Sequence, residues 1–422
     1  MIKILYAFAG EKAITYFHKV FIFKKQIIHI FCAVPRNPVG KTRILHGKKG
    51  SCIQAEDTGI LNAKWMGATD VITRIGKRTL RFGRGPWAAS WAASVGKKEK
   101  EGPLGALFDQ CHEDTTLGLE SWEQAESRLQ AEAAQLALRK AGMEREAIDC
   151  VFAGDLLNQC AASVFGLREL DIPFLGQYGA CSTMAQTLGM ASVFVEAGAA
   201  RRALAVTSSH FCSAERQFRL PLEYGGQRTP TAQWTATASG AVIVSREPPS
   251  GVERAVVVRE ATFGRMRDLG VKDAANMGAA MAPAAWETLL DYFTDTASSP
   301  SDFDLILTGD LGAVGSDLLR ELALRDGFDI AAVHNDGGLM LYDRQRQDVH
   351  AGASGCGCSA AVLCSVVLGD LLAGRMQDVL FVGTGALMSL TTSQQGESIP
   401  GVAHLIHLRS VPVHSHTESA ER

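Results

Sequence analysis

Hydrophobic and polar positions along this chain alternate between two periods. Ser121–Gly142 (SWEQAESRLQAEAAQLALRKAG) repeats apolar residues at helical spacing and predicts an amphipathic helix. Ser121 and Gln124 fit a capping box, and Gly142 fits a C-terminal stop. DCVFAGDLL (149–157) and IPFLGQY (172–178) predict strands, with a short helix near 160–169 between them. From Gly176 to His210 the chain turns through glycines and places Cys181 at the start of an almost wholly apolar helix. It then stops at a glycine and two arginines, and runs through the strand ALAVTSS to His210. A helix that is apolar all round is a buried helix.

Further strands are predicted at 235–245, Val256–Phe263 and 303–311, and further helices over AMAPAAWETLLDYF and SDLLRELALRDG. Strands alternating with helices at this spacing predict an α/β fold with a parallel sheet. Thr69–Phe82 reads as strand-like. GRGPWAASWAASVGKKEKEGPLGALFD reads as a glycine-rich loop with KEKEG as a solvated bend. His210–Gln233 reads as a long polar loop carrying Arg216, Arg219 and Glu223, of a length that is usually functional or disordered. A polar, frayed tail is expected from Ser410.

The pattern occurs twice. IDCVFAGDLL (148–157) matches FDLILTGDLG (303–312), and ACS (180–182) matches GCS (357–359). Each of the latter opens an apolar helix that ends in glycine plus a charged residue and leads to a buried strand, ALAVTSS or VLFVGTGA. Two similar α/β halves are expected, 66–245 and 246–410, followed by the tail 411–422. Their helix N-termini, at Cys181 and near Cys358, should meet at a shared interface where ligand sites are favoured.

Composition separates residues 1–65 from the rest. They hold eleven Lys/Arg against three Asp/Glu, whereas the remainder is acidic. Their apolar run AITYFHKVFIFKKQIIHIFCAV is interrupted by Lys19, Lys24 and Lys25, so no spanning helix is predicted. This extension is read as atypical and non-native, with a start near Met66. The net charge of −3 and the low aromatic content argue against a nucleic-acid partner. Ten dispersed cysteines without a CxxC predict reduced thiols and no metal site. A cysteine at a helix N-terminus can have its thiol pKa lowered from ~8.5 towards 7.

GACST resembles the nucleophile turn of β-ketoacyl synthases and thiolases, and SGAVIVS resembles the strand closing the first half of that thiolase-like superfamily. More finely, KEKEGPLGALFD, AGDLLNQ, PFLGQYGACST, RALAVTSSH, AERQFRLPLEYGGQ, NMGAAMAPAA, DLILTGDL, HNDGGLMLY and GASGCGCSAAV together resemble the stage V sporulation protein AD family over about residues 66–410. The resemblance implies a thiolase-like fold in layers α-β-α-β-α, and a homodimer through the sheet of the first half. It implies binding of dipicolinic acid, alone or as its calcium chelate, with no cofactor. It also implies a part in dipicolinate uptake into the developing spore. The expected location is the forespore, peripheral on the spore inner membrane beside other stage V sporulation membrane proteins, and otherwise the cytoplasm.

Acyl-transfer enzymes of this superfamily need two further groups, His with His or Asn, from the second half. Here Gly309–Asp310 stands where chain-initiating ketoacyl synthases place a histidine. His350 is one residue out of step with the thiolase GHPxGxSG turn, whose position falls on Val349. A ligand-binding protein is therefore expected rather than a catalyst. Its expected site is Cys181, His210, Arg216, Arg219, Asp310, His334 and Asp336, with the two arginines suited to carboxylates. The alternative is a thiolase- or ketoacyl-synthase-like acyltransferase with Cys181 as nucleophile.

Overall fold

The computed structural model describes residues 72–218 and 228–413. The basic extension 1–65, the start near Met66, Arg219 and the tail beyond residue 413 lie outside the described residues. After a short hairpin (Thr73–Ile75 with Thr79–Arg81), the first half runs β1 (Trp87–Val95), α1 (Trp122–Ala141), β2 (Cys150–Gly154), α2 (Ala161–Leu167), β3 (Phe174–Gly176), α3 (Thr183–Glu196) and β4 (Arg202–Ser209). It continues through α4 (Phe211–Phe218) to β5 (Ala238–Ser245). The second half runs β6 (Arg254–Phe263), α5 (Met277–Thr296), β7 (Leu305–Thr308), α6 (Gly312–Arg325), β8 (His334–Asp336), α7 (Cys356–Val362), β9 (Asp378–Ala386) and β10 (Gly401–Pro412).

The strand order is β3-β2-β4-β5-β1 in one half and β8-β7-β9-β10-β6 in the other. In each half the fourth strand of that order, β5 or β10, is antiparallel to its neighbours, and the remaining pairs are parallel. The halves join where β1 meets β6 antiparallel, Ala88 opposite Val256 and Trp87 opposite Val257. Between the last two strands the first half carries α4, of eight residues, and the second half a shorter helix, Leu390–Gln394.

Side-chain alternation along the strands builds the layers. In β4, Leu204 and Val206 face α1, while Ala203 and Ala205 face the buried helix α3. In β9, Leu380 and Val382 face α5, while Val379 and Phe381 face inward. The result is α-β-α-β-α, with α3 and α7 as the central layer, and this is the thiolase-like architecture.

Strand glycines let that central layer approach. A Cβ on Gly240 of β5 would lie 2.6 Å from the Ala360 carbonyl of α7. A Cβ on Gly385 of β9 would lie 2.4 Å from the Gly179 carbonyl, beside the turn that opens α3. Each half thus packs its sheet on the other half's central helix or its opening turn.

Three local expectations are corrected. Trp87–Val95, read as part of a loop, is the strand at the junction of the two sheets. Its alanines and serines carry little strand propensity, and burial on both faces overrides that. The KEKEG bend is one helical turn, Lys97–Lys100, in which Glu99 is buried and accepts hydrogen bonds from the Tyr342 hydroxyl and, at 2.9 Å, the Thr237 N–H. The tail does not fray at Ser410: that residue is buried, donates to the Leu371 carbonyl at 2.6 Å and lies within β10.

A buried ionic network ties β6, β9 and β10 to α5. Glu260 accepts from the Tyr292 hydroxyl at 2.6 Å and from Arg81 Nε at 2.8 Å, and lies 3.1 Å from His407 Nδ1. His407 Nε2 lies 2.8 Å from Asp378. Burial alone would raise the Glu260 carboxyl, but His407, Tyr292 and Arg81 outweigh it and bring it from 4.5 to about 2. A depressed carboxyl stabilises the fold above its unfolded value and loses that contribution as pH falls towards its folded value. Between pH 4.5 and about 2 the protein should lose about 3 kcal/mol that a Glu260→Gln variant does not lose. Urea unfolding across that range checks this, and parallel pH slopes for the two proteins would refute it.

Candidate functional site

Gly179–Ser182 forms a tight turn before α3. Ser182 Oγ donates to the Gly179 carbonyl at 2.7 Å, and Thr183 Oγ1 donates to the Ala180 carbonyl at 2.6 Å. Ala180 is held at φ 49°, a left-handed conformation that costs a residue with a Cβ roughly 1–3 kcal/mol and persists only where its surroundings enforce it. The turn aims Cys181, 5% exposed, into a cavity of about 30 Å³. Leu156, Tyr178, Ala214, Phe218, Met277 and Met388 supply its apolar walls, and Glu215, Thr235 and Ser354 supply polar ones.

Asp310, two residues beyond β7, stands directly behind the thiol. Its carboxylate accepts from the Gly355 N–H at 2.7 Å and from Thr384 Oγ1 at 2.8 Å, and it interacts electrostatically with Ser354 and the Cys181 thiol. The helix N-terminus is expected to lower the thiol pKa, and the structure reverses that. Burial pushes the Cys181 thiol well above its ordinary value, and the neighbouring Asp310 pushes it further. Asp310 is itself raised by burial, against the pull of these four groups. The pair is therefore a buried thiol beside a buried carboxylate, both raised, which leaves little thiolate for nucleophilic attack.

Of the remaining expected residues, those that are described do not line this cavity. His210 is fully buried; its Nε2 lies 2.8 Å from the Thr115 carbonyl and its Nδ1 accepts from the Cys212 N–H at 3.2 Å, so both ring nitrogens are spent on backbone. Arg216 points outward, paired with Glu123 and lying 5.4 Å from the Trp122 ring centre. Asp336 caps α6. It accepts from the Leu311 N–H at 2.8 Å, the Gly312 N–H at 2.9 Å and the Thr308 hydroxyl at 2.6 Å, and burial brings its carboxyl up to about 7. His334 contacts Thr308 Oγ1 at 3.0 Å, and burial pushes it down to about 3. His350 pairs with Asp348 at 3.2 Å, while Val349 is fully buried. Among the described residues no histidine or asparagine lines the cavity.

The structure adds Glu215 and Arg228, which the long-loop reading did not single out. Glu215 lies in α4, is 3% exposed, pairs with Arg228 at 3.0 Å and accepts from Thr235 Oγ1 at 3.3 Å. Arg228 lies 5.0 Å from both the Phe211 and Trp234 ring centres, and those rings stack at 3.9 Å. The helical spacing of Phe211, Ala214, Glu215 and Phe218 was the available signal. Among the described residues no group of three or more His, Cys, Asp or Glu side chains is placed to hold a metal ion, and no helix is long and apolar enough to cross a membrane.

A model of the stage V sporulation protein AD family matches residues 76–409. A stage V sporulation protein AD of Bacillus subtilis (strain 168) is 45% identical over 329 residues, which cover 78% of this chain and 96% of that protein. Solved structures that are similar include the 3-oxoacyl-[acyl-carrier-protein] synthase III of Aquifex aeolicus, at 13% identity, 77% and 100% coverage and TM-score 0.46. The corresponding synthase of Pseudomonas aeruginosa gives 14% identity, 77% and 98% coverage and TM-score 0.44.

Proposed function

This chain belongs to the stage V sporulation protein AD family, and from that premise we propose that it is a sporulation protein that binds dipicolinic acid and takes part in its uptake, with calcium, into the developing spore. One observation carries the binding reading over acyl transfer. The Cys181 thiol is buried beside Asp310, in a cavity where, among the described residues, neither of the histidine or asparagine partners that thioester chemistry uses is found. What is left is a small, mostly apolar chamber with a few polar groups, the usual composition of a binding site.

At about 30 Å³ the chamber is far below the roughly 300 Å³ of an ordinary ligand pocket, so a planar diacid enters only if wall side chains move. Met277, Met388 and Phe218 are the adaptable part of that wall. Arg228 is the described guanidinium tied to the wall through Glu215, and it could exchange that carboxylate for one of the ligand's.

Titration of dipicolinate into the full chain by calorimetry should give a saturable heat, weakened by Arg228→Ala. No heat at millimolar ligand would end the reading. A homodimer is part of the same proposal. Strand β3 closes one end of the described sheet and carries exposed Phe174, with Tyr178 just beyond it and Phe165 on α2. Sedimentation showing only monomer would remove it. The proposed place of action is the spore, at the inner membrane through partner membrane proteins.

A further inference from the structure

We propose that the first half holds a hard divalent cation at Glu126 and Asp155, apart from the Cys181 cavity. Both carboxylates are fully buried. Glu126 accepts from Ser208 Oγ at 3.1 Å and Ser213 Oγ at 2.6 Å. Asp155 accepts from the Leu157 N–H at 2.8 Å, and from the Ser163 N–H and hydroxyl at 2.8 and 2.6 Å. Among the described residues no Lys, Arg or His pairs with either acid.

Gln130 joins the two groups. Its Nε2 donates to Ser163 Oγ at 3.1 Å, Ser208 Oγ at 3.2 Å and the Gly154 carbonyl at 3.2 Å. Its Oε1 is buried in the same cluster and has no hydrogen-bond partner. The three serine hydroxyls and two backbone N–H groups therefore point at the two acids, and one neutral oxygen is left unused.

Buried charges are paired with other charges or coordinate metals. Two carboxylates call for two positive charges, which one divalent ion supplies. The other available donors are the Gln130 amide oxygen, three serine hydroxyls and the Gly154 carbonyl, all hard oxygens of the kind calcium collects. Magnesium keeps several of its waters, and a fully buried cluster suits it less well. With only two acids, the site is of a different kind from a cluster of three or more acidic, histidine or cysteine ligands.

The cluster lies between two openings in the fold. Ser213 lines an outer cleft of about 400 Å³ together with Glu123, Asn158, Arg216 and Gln217. On the inner side, Leu156 and Ala214, the chain neighbours of Asp155 and Ser213, line the Cys181 cavity. A bound ion would fasten the chain after β2 to α1, and through Ser213 to the start of α4, between the cleft and the cavity.

Thermal unfolding of the full chain, first stripped with a chelator, tests this. Calcium chloride should raise the midpoint by several degrees, magnesium chloride by less, and potassium chloride not at all. The Glu126→Gln/Asp155→Asn pair keeps the side-chain shapes and should lose the calcium shift. Gln130→Met removes only the amide and should weaken calcium binding, read by calorimetry, about tenfold. No calcium shift in the wild-type chain would overturn the proposal and leave the acids sharing a proton. An undiminished shift in the double variant would also overturn it, by placing the calcium elsewhere. If the double variant does not fold, unchanged calcium affinity in Gln130→Met overturns it alone.

Discussion

Replacing Asp310 with asparagine should make Cys181 react with iodoacetamide at least about tenfold faster at neutral pH. The reacting species is the thiolate. Burial is the largest cause of its scarcity here and survives the substitution; the Asp310 charge beside the thiol does not. A like charge about 4 Å away costs roughly 4 kcal/mol at the effective dielectric of a protein site, and each 1.4 kcal/mol is a factor of ten. The same change should cost about 1–3 kcal/mol of stability, because an asparagine NH₂ faces donors from Gly355 or Thr384 that a carboxylate satisfies. Alkylation followed by mass spectrometry, beside urea unfolding of the same variant, separates activation from simple loosening. An unchanged rate in a folded variant would mean that Asp310 does not restrain the thiol.

A second large effect is expected from one added methyl group. Gly240→Ala places a Cβ 2.6 Å from the Ala360 carbonyl oxygen and 2.8 Å from the Ala360 Cβ. The obstacle is helix backbone in the middle layer, with sheets on either side, and it cannot rotate away. Overpacking of this kind costs about 1–3 kcal/mol, and sometimes more. Gly383→Ala makes the reciprocal test, since its Cβ would lie 2.7 Å from the Ala185 Cβ in α3. A denaturation midpoint unchanged in both variants would refute this close seating of helix on sheet.

The alternation of strands and helices, and its repetition, were legible because both faces of each sheet are buried and leave apolar runs of the right length. Trp87–Val95 was not, because a strand of alanines and serines carries its information in what packs on it. The candidate site was partly legible. Cys181 and Asp310 meet, and Asp310 was marked by standing where a related enzyme has histidine. His210 and Arg216 sit at chain positions that should face a pocket, but the direction of a side chain beyond a strand end depends on tertiary partners, here Thr115 and Glu123. Glu99 was hidden in a charged run, where composition predicts water and Tyr342 supplies a partner instead. The acid pair Glu126–Asp155 combines a helix residue with a strand-end residue, and no local pattern links them.

The meeting of β1 with β6, and the seating of each central helix or its turn on the other half's sheet, bears on how the chain is made. When a ribosome has finished β5, the first half has one wall of its central helix missing, and that wall has not yet been synthesised. Contacts of this sequence separation close late and fold slowly. The duplicated halves look like two domains but should behave as one cooperative unit, with a single unfolding transition and no stable half when the chain is cut between them. During synthesis the nascent first half would carry exposed apolar surface, which is the state that chaperones recognise.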